Sequence, residues 1–158
     1  MFNSRVVVFG CGNTLYGDDG LGPMVISKLQ EENGPGPDVT LIDAGTSIRP
    51  LLFDLILSDR HPQRVIIIDI TTDEDLYPGQ VKEIDIHDVD PKKIADFSMH
   101  QFPTTNLLKE LQEATDIRLN IIVVRAVHIP EKMQEGLSRE VQEALPHVVN
   151  KIKELARA

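Results

Sequence analysis

A chain of 158 residues, 41% hydrophobic and 26% charged, is long enough for one buried core and has the composition of an ordered globular domain, not of a disordered segment. Its formal net charge of -9, with lysines and arginines dispersed, argues against a nucleic-acid binder or a protein held on an anionic membrane. One cysteine, Cys11, excludes an intrachain disulfide, and no apolar run reaches the about 18–20 residues that span a bilayer. Residues 1–5 lead directly into a strand-like run without the apolar stretch of a secretory leader, so a cytoplasmic location is expected.

The elements follow in chain order. Residues 5–9 are a β-branched apolar run ending at Gly10, and the absence of alternation predicts a strand buried on both faces. Leu21, Met24, Val25 and Leu29 then recur at helical spacing, and Asn33-Gly34-Pro35-Gly36-Pro37 stops that helix. The unit repeats: a strand over 39–42, then a helix over 48–57 with Leu51, Leu52, Leu55 and Ile56 on its apolar side. Residues 64–68 are the clearest buried strand. After the turn Tyr77-Pro78-Gly79-Gln80, Val81, Ile84 and Ile86 mark an edge strand. A helix is expected over 100–113, a strand over 120–124, and a last helix over 138–156 that contains Pro146. Strands alternating with helices predict an α/β fold: one three-layer domain over residues 1–158, with a mostly parallel twisted sheet flanked by helices.

In such sheets ligands bind beyond the carboxyl ends of the strands. Polar residues expected there are residues 10–19 after the first strand, residues 43–46 after the second, Asp69 after the third, and His100 at the start of a later helix.

The glycine-rich turn after the first strand has competing explanations. Gly10 and Gly12 fit a dinucleotide loop and Asp43 stands where a ribose-binding acid would, but Leu15 occupies the third glycine position. Asp18 and Asp19 also place negative charge where a phosphate would meet the helix N-terminus. No Gly-Lys-Ser/Thr follows, so a P-loop is excluded. The simplest role for one of the two aspartates is helix capping.

Taken whole, Gly10-Cys11-Gly12-Asn13-Thr14-Leu15-Tyr16-Gly17-Asp18-Asp19-Gly20-Leu21-Gly22 resembles the N-terminal signature of the [NiFe]-hydrogenase maturation endopeptidases: a Gly-Asn turn at Gly12 and Asn13, an acidic pair, a glycine and then a helix. Further elements match in order. Ile66-Ile67-Ile68-Asp69 resembles the family's third strand, and Ser98-Met99-His100-Gln101 its Ser-x-His-Gln segment. Asp43-Ala44-Gly45-Thr46 resembles an Asp-x-Gly-Thr element tied to substrate selection, which assigns that role to Asp43, Gly45 and Thr46. Gly136-Leu137-Ser138 with Val141, Ala144 and Leu145 resembles the last loop and helix.

The resemblance implies that Asp19, Asp69 and His100 are both the catalytic residues and the ligands of nickel. Two carboxylates and an imidazole suit a borderline divalent metal and leave positions open for water or substrate. It further implies a cytoplasmic, monomeric protease that cuts the C-terminal extension from a nickel-loaded hydrogenase large-subunit precursor. Nickel would arrive with that substrate and not reside in the enzyme. Two alternatives stay open: a dinucleotide-binding Rossmann-like protein, and a chaperone that binds nickel and precursor without cutting. His61, His87, His128 and His147 carry no motif, and Cys11 has no histidine partner, so all five are expected to be surface or packing residues. Residues 124–131 depart from the usual pattern, and the form is closest to the maturation proteases of coenzyme F420-reducing hydrogenases.

Overall fold

In the computed structural model, which describes residues 3–88 and 104–158, the apolar runs form five strands and the helical repeats four α-helices. In order these are β1 Val6–Cys11, α1 Leu21–Glu31, β2 Val39–Gly45, α2 Ile48–Leu57, β3 Arg64–Thr71, β4 Val81–Ile84, α3 Thr104–Ala114, β5 Arg118–Arg125 and α4 Arg139–Arg157. The sheet order is β2-β1-β3-β5-β4, parallel except for the antiparallel edge strand β4. This is the mostly parallel α/β architecture that the alternating pattern predicts.

Side-chain alternation along the strands divides the core in two. Val7, Phe9, Val65, Ile67 and Val123 meet α2 and α3 through Leu52, Leu55, Leu108 and Leu111. Val6, Val8, Ile66, Ile68 and Val124 meet α1 and α4 through Leu21, Val25, Val148 and Ile152. β3 is buried along its whole length and carries four isoleucines, each contributing about 1.5–3 kcal/mol on burial. It is the element most able to tolerate a buried polar residue.

Several boundaries differ from the sequence expectation, three of them with consequences for side-chain placement. β2 runs on to Gly45 and β3 to Thr71, so Asp43 and Asp69 lie inside strands and not after them. Asp69 remains in the ladder opposite Val123, because its backbone pairs with β5 whatever its side chain. β4 ends at Ile84, and Ile86 is buried in a short 3-10 turn, Ile86–Asp88, instead of continuing the edge strand. The helix stop at Asn33 holds, with Asn33 at φ 52°, a left-handed conformation that asparagine tolerates. α4 runs through Pro146, and the side chain of Ser138 caps its start by accepting from the backbone N–H of Val141.

From β1 the chain crosses to β2 on one side and later returns to β3 on the other. The topological switch point therefore lies between β1 and β3, and a crevice opens beyond their carboxyl ends. The loop after β1 and the end of β3 deliver Asp19 and Asp69 to it.

Candidate active site

The loop after β1 folds back on itself by close backbone packing. A Cβ at Gly10 would lie 2.3 Å from the carbonyl oxygen of Gly22, and one at Gly22 would lie 2.3 Å from that of Cys11. Gly12, at φ 133°, lies so close to Asp19 that a Cβ there would sit 1.9 Å from its carbonyl oxygen. These glycines seat β1 against α1 and press the acidic turn Gly17–Gly20 onto the strand end. They do not form a phosphate cradle.

Asp19 is almost fully buried in that turn, and its Oδ2 accepts the N–H of Asn13 at 3.0 Å. Asp69 is fully buried. Its Oδ1 accepts the N–H of Ile70 at 2.8 Å, while its Oδ2 is sealed from solvent and has no hydrogen-bond partner among the described residues. Burial holds the Asp69 carboxyl well above the usual carboxylate range; the Ile70 N–H opposes this, and the negative charge of Asp19 adds to it. That Asp19 influences Asp69 electrostatically means that the structure brings the two together. An unmade hydrogen bond on a buried polar atom costs about 1–3 kcal/mol, so the free Asp69 oxygen is a strain that a proton or a cation relieves. This fits a metal-recognising donor set. Among the described residues no third His, Cys, Asp or Glu completes a metal-sized cluster. His100 lies outside the described residues, as do Ser98, Met99 and Gln101.

Asp18 does something that sequence reasoning missed. It caps neither its own turn nor α1, where no side-chain cap forms. Instead it reaches across the fold: Oδ1 accepts the Ser138 N–H at 2.7 Å, and Oδ2 accepts the Val127 N–H at 2.9 Å and the Ser138 hydroxyl at 2.9 Å. It thereby braces Ser138, the N-cap residue of α4. The same two loops are joined by Gly17 N–H to Gln134 O and Gln134 N–H to Leu15 O, each at 2.8 Å. The rim so formed exposes Leu15, Val127 and Met133.

The Asp43–Thr46 stretch lies at the same end of the sheet. Asp43 accepts the Gly45 N–H at 2.9 Å, and Gly45 O accepts the Gly12 N–H at 2.8 Å, so this turn is tied to the acidic loop. Gly45 has open space around it and Thr46 is exposed. Cys11 is buried in the core, whereas His61, His87, His128 and His147 are all exposed.

Arg125 was also missed. It ends β5 opposite Thr71, two positions beyond the Asp69–Val123 pair and therefore on the same face of the sheet as Asp69. Its Nε is buried without a hydrogen-bond partner among the described residues. A lone arginine closing an apolar strand at the ligand-binding edge was the available signal.

An α/β domain with two mutually repelling, buried carboxylates at its switch point, and no glycine cradle for phosphate, has the form of a hydrolytic or metal-sensing site. Known proteins specify it further. A family model described as HycI, hydrogenase maturation protease, matches residues 23–155. A Methanocaldococcus jannaschii protein named for a hydrogenase maturation protease is 34% identical, with 94% of each chain covered. The coenzyme F420 hydrogenase subunit delta of Methanothermobacter thermautotrophicus is 30% identical over 96% of this chain and 94% of its own. The [NiFe] hydrogenase maturation protease HycI of Thermococcus kodakarensis, 21% identical, superposes with a TM-score of 0.77 over 98% of this chain and 94% of its own, which shows a shared fold. The chain belongs to the hydrogenase maturation protease family and is an endopeptidase.

Proposed function

We propose that this endopeptidase removes the C-terminal extension of a nickel-loaded [NiFe]-hydrogenase large-subunit precursor, and that Asp19, Asp69 and His100 are its working residues. The observation that carries this reading is the unpartnered, buried Oδ2 of Asp69 beside the charge of Asp19. Nickel is brought by the precursor as part of the substrate and is not a resident cofactor; bound there, it would supply positive charge. In the free protein, burial and the charge of Asp19 favour the protonated form of Asp69. A cation beside the carboxylates would offset the charge of Asp19 and compensate for burial, favouring the ionised form of Asp69 on substrate arrival, the form able to act as a base.

The reaction adds water across one peptide bond. The water oxygen bonds to the carbonyl carbon, the carbon–nitrogen bond breaks, and the released protons pass by way of the base to the departing amine. Asp19, fixed by Asn13, keeps the second carboxylate in place. Arg125 is positioned to donate to a main-chain carbonyl of the bound segment, and the exposed turn of Asp43, Gly45 and Thr46 is suited to selecting the precursor. The protein is expected to act as a cytoplasmic monomer. No helix among the described residues is long and apolar enough to cross a membrane.

Mixing the protein with candidate precursors, with and without nickel, and measuring the C-terminal mass change tests this directly. Loss of a fixed C-terminal segment only from nickel-loaded precursor supports the proposal; no cleavage of any nickel-loaded precursor counts against it. The relative named as a hydrogenase subunit favours F420-reducing hydrogenases as the first precursors to try, and it motivates a second reading in which the chain stays bound to its partner without cutting. A stable complex with unchanged precursor mass would establish that second reading.

A further inference from the structure

At the opposite end of the sheet from the acidic pair, the N-terminal ends of three neighbouring parallel strands each carry an arginine. Arg5 immediately precedes β1, Arg64 begins β3, and Arg118 begins β5. Arg64 and Arg118 are direct register partners, and Arg64 is also the partner of Val6. Like charges placed opposite one another across strands are destabilising. A row of three across strands about 4.8 Å apart is therefore an unusual choice in a chain of net charge -9.

Around this row lies a cavity of about 450 Å³, lined by Arg5, His61, Gln63, Arg64, Asp116 and Arg118 among others. Small-molecule sites begin at about 300 Å³. Arg64 is 93% buried, from its 7% exposure, yet among the described residues its side chain makes a single hydrogen bond, from Nη1 to Asn120 Oδ1. None of its nitrogens is sealed from solvent without a partner, so its remaining N–H groups open onto the cavity. Arg118 makes no side-chain hydrogen bond or ion pair among the described residues. Arg5 is held by Asp38 at 2.7 Å and by the carbonyl oxygen of Ala156, which fixes its guanidinium at the cavity wall.

The carboxylates only partly offset this charge: Asp38 is engaged by Arg5, Glu83 is paired with Lys151 at 3.3 Å and shares Asn120 with Arg64, and Asp116 and the C-terminal Ala158 also line the cavity. Burial first, and then the charge of Arg118, weakens the hold of Arg64 on its proton; Glu83 opposes this, and Arg5 adds a smaller push in the same direction as Arg118.

We propose that this cavity is a binding site for a small multivalent phosphate, held by the guanidinium groups of Arg64 and Arg118 with Arg5 at its edge. Arginine forks match phosphate oxygens in pairs, and a diphosphate reaches across two adjacent strands where a single monovalent anion would not. Binding removes the cross-strand repulsion, so the ligand stabilises the folded chain from the end remote from the acidic site. The site does not depend on the proteolytic reading.

The test is thermal melting and titration calorimetry of the full chain with sodium pyrophosphate, against sodium chloride at equal ionic strength. A saturable rise in melting temperature with pyrophosphate and none with chloride is expected. Arg118→Gln, an exposed position that leaves the core intact, should weaken the affinity by about tenfold or more, as loss of a charge-assisted bond requires. Arg64→Lys, which keeps the charge and loses the fork, should weaken it as well. Titration with a nucleoside diphosphate distinguishes the source: tighter binding than pyrophosphate assigns the phosphate to a nucleotide, and equal or weaker binding assigns it to the free anion. No stabilisation beyond the chloride control, or unchanged affinity in Arg118→Gln, would overturn the site.

Discussion

At the scale of single residues, the two aspartates of the acidic pair have opposite roles, although they are neighbours in one short turn. Asp18 is saturated with donors from Val127 and Ser138 and is structural, while Asp19 faces Asp69. Replacing Asp18 with Ala leaves those buried donors unmatched, and is expected to cost about 2–4 kcal/mol in urea unfolding. Asp69 gives a different signature. Its folded form holds a proton to higher pH than the unfolded chain does, so across that interval the folded state binds more protons and stability falls as pH rises. This stability is fully present below the unfolded carboxylate range, about pH 4, and is lost as pH climbs through the raised value. Melting curves of metal-free protein between about pH 4 and 8 should therefore fall less steeply for Asp69→Asn than for wild type; parallel curves would contradict the assignment. That Asp19 and Asp69 come near one another was legible from the sequence only through a resemblance. The roles of Asp18 and Arg125 were not, because they rest on contacts more than a hundred residues away for Asp18 and on strand register for Arg125.

At the scale of elements, β1, its loop and α1 form the unit on which the site depends. Its glycines read in sequence like a phosphate loop, and sequence alone could not exclude that, because glycine serves close packing and ligand approach equally well. The positions of Gly10 and Gly22 decide for packing. Gly22→Ala sharpens the point. Inside a helix alanine is favoured by about 1 kcal/mol. Here a Cβ would meet Cys11 backbone atoms at 2.3 and 2.4 Å, which backbone cannot yield without moving the strand. We expect a net loss of about 1–3 kcal/mol in chemical denaturation, accompanied by weaker cleavage because Asp19 shifts with the helix. A stabilised variant would show that the contact is soft. Strands and helices were legible in type and order from apolar periodicity. Their ends were less so, since Asp43, Asp69 and Thr71 stay within strands through backbone pairing that their polar side chains disguise.

For the whole molecule, sheet order explains why residues so far apart in sequence come together. The reversal between β1 and β3 opens a crevice that no local motif announces, and the two acids arrive from separate crossover units. Arg125 lies at the same end of the sheet on β5, on the face that carries Asp69, and on the proposed reading Arg125→Gln is expected to raise KM for precursor about tenfold with little change in kcat, as loss of a binding contact requires. The measurement that bears most directly on the central claim is the C-terminal mass of nickel-loaded precursor after incubation with wild type, Asp19→Asn, Asp69→Asn and His100→Ala, each first shown to be folded by circular dichroism. Wild type should release a fixed C-terminal segment and the three variants should release none. Full cleavage by any folded one of them would contradict its place in the site.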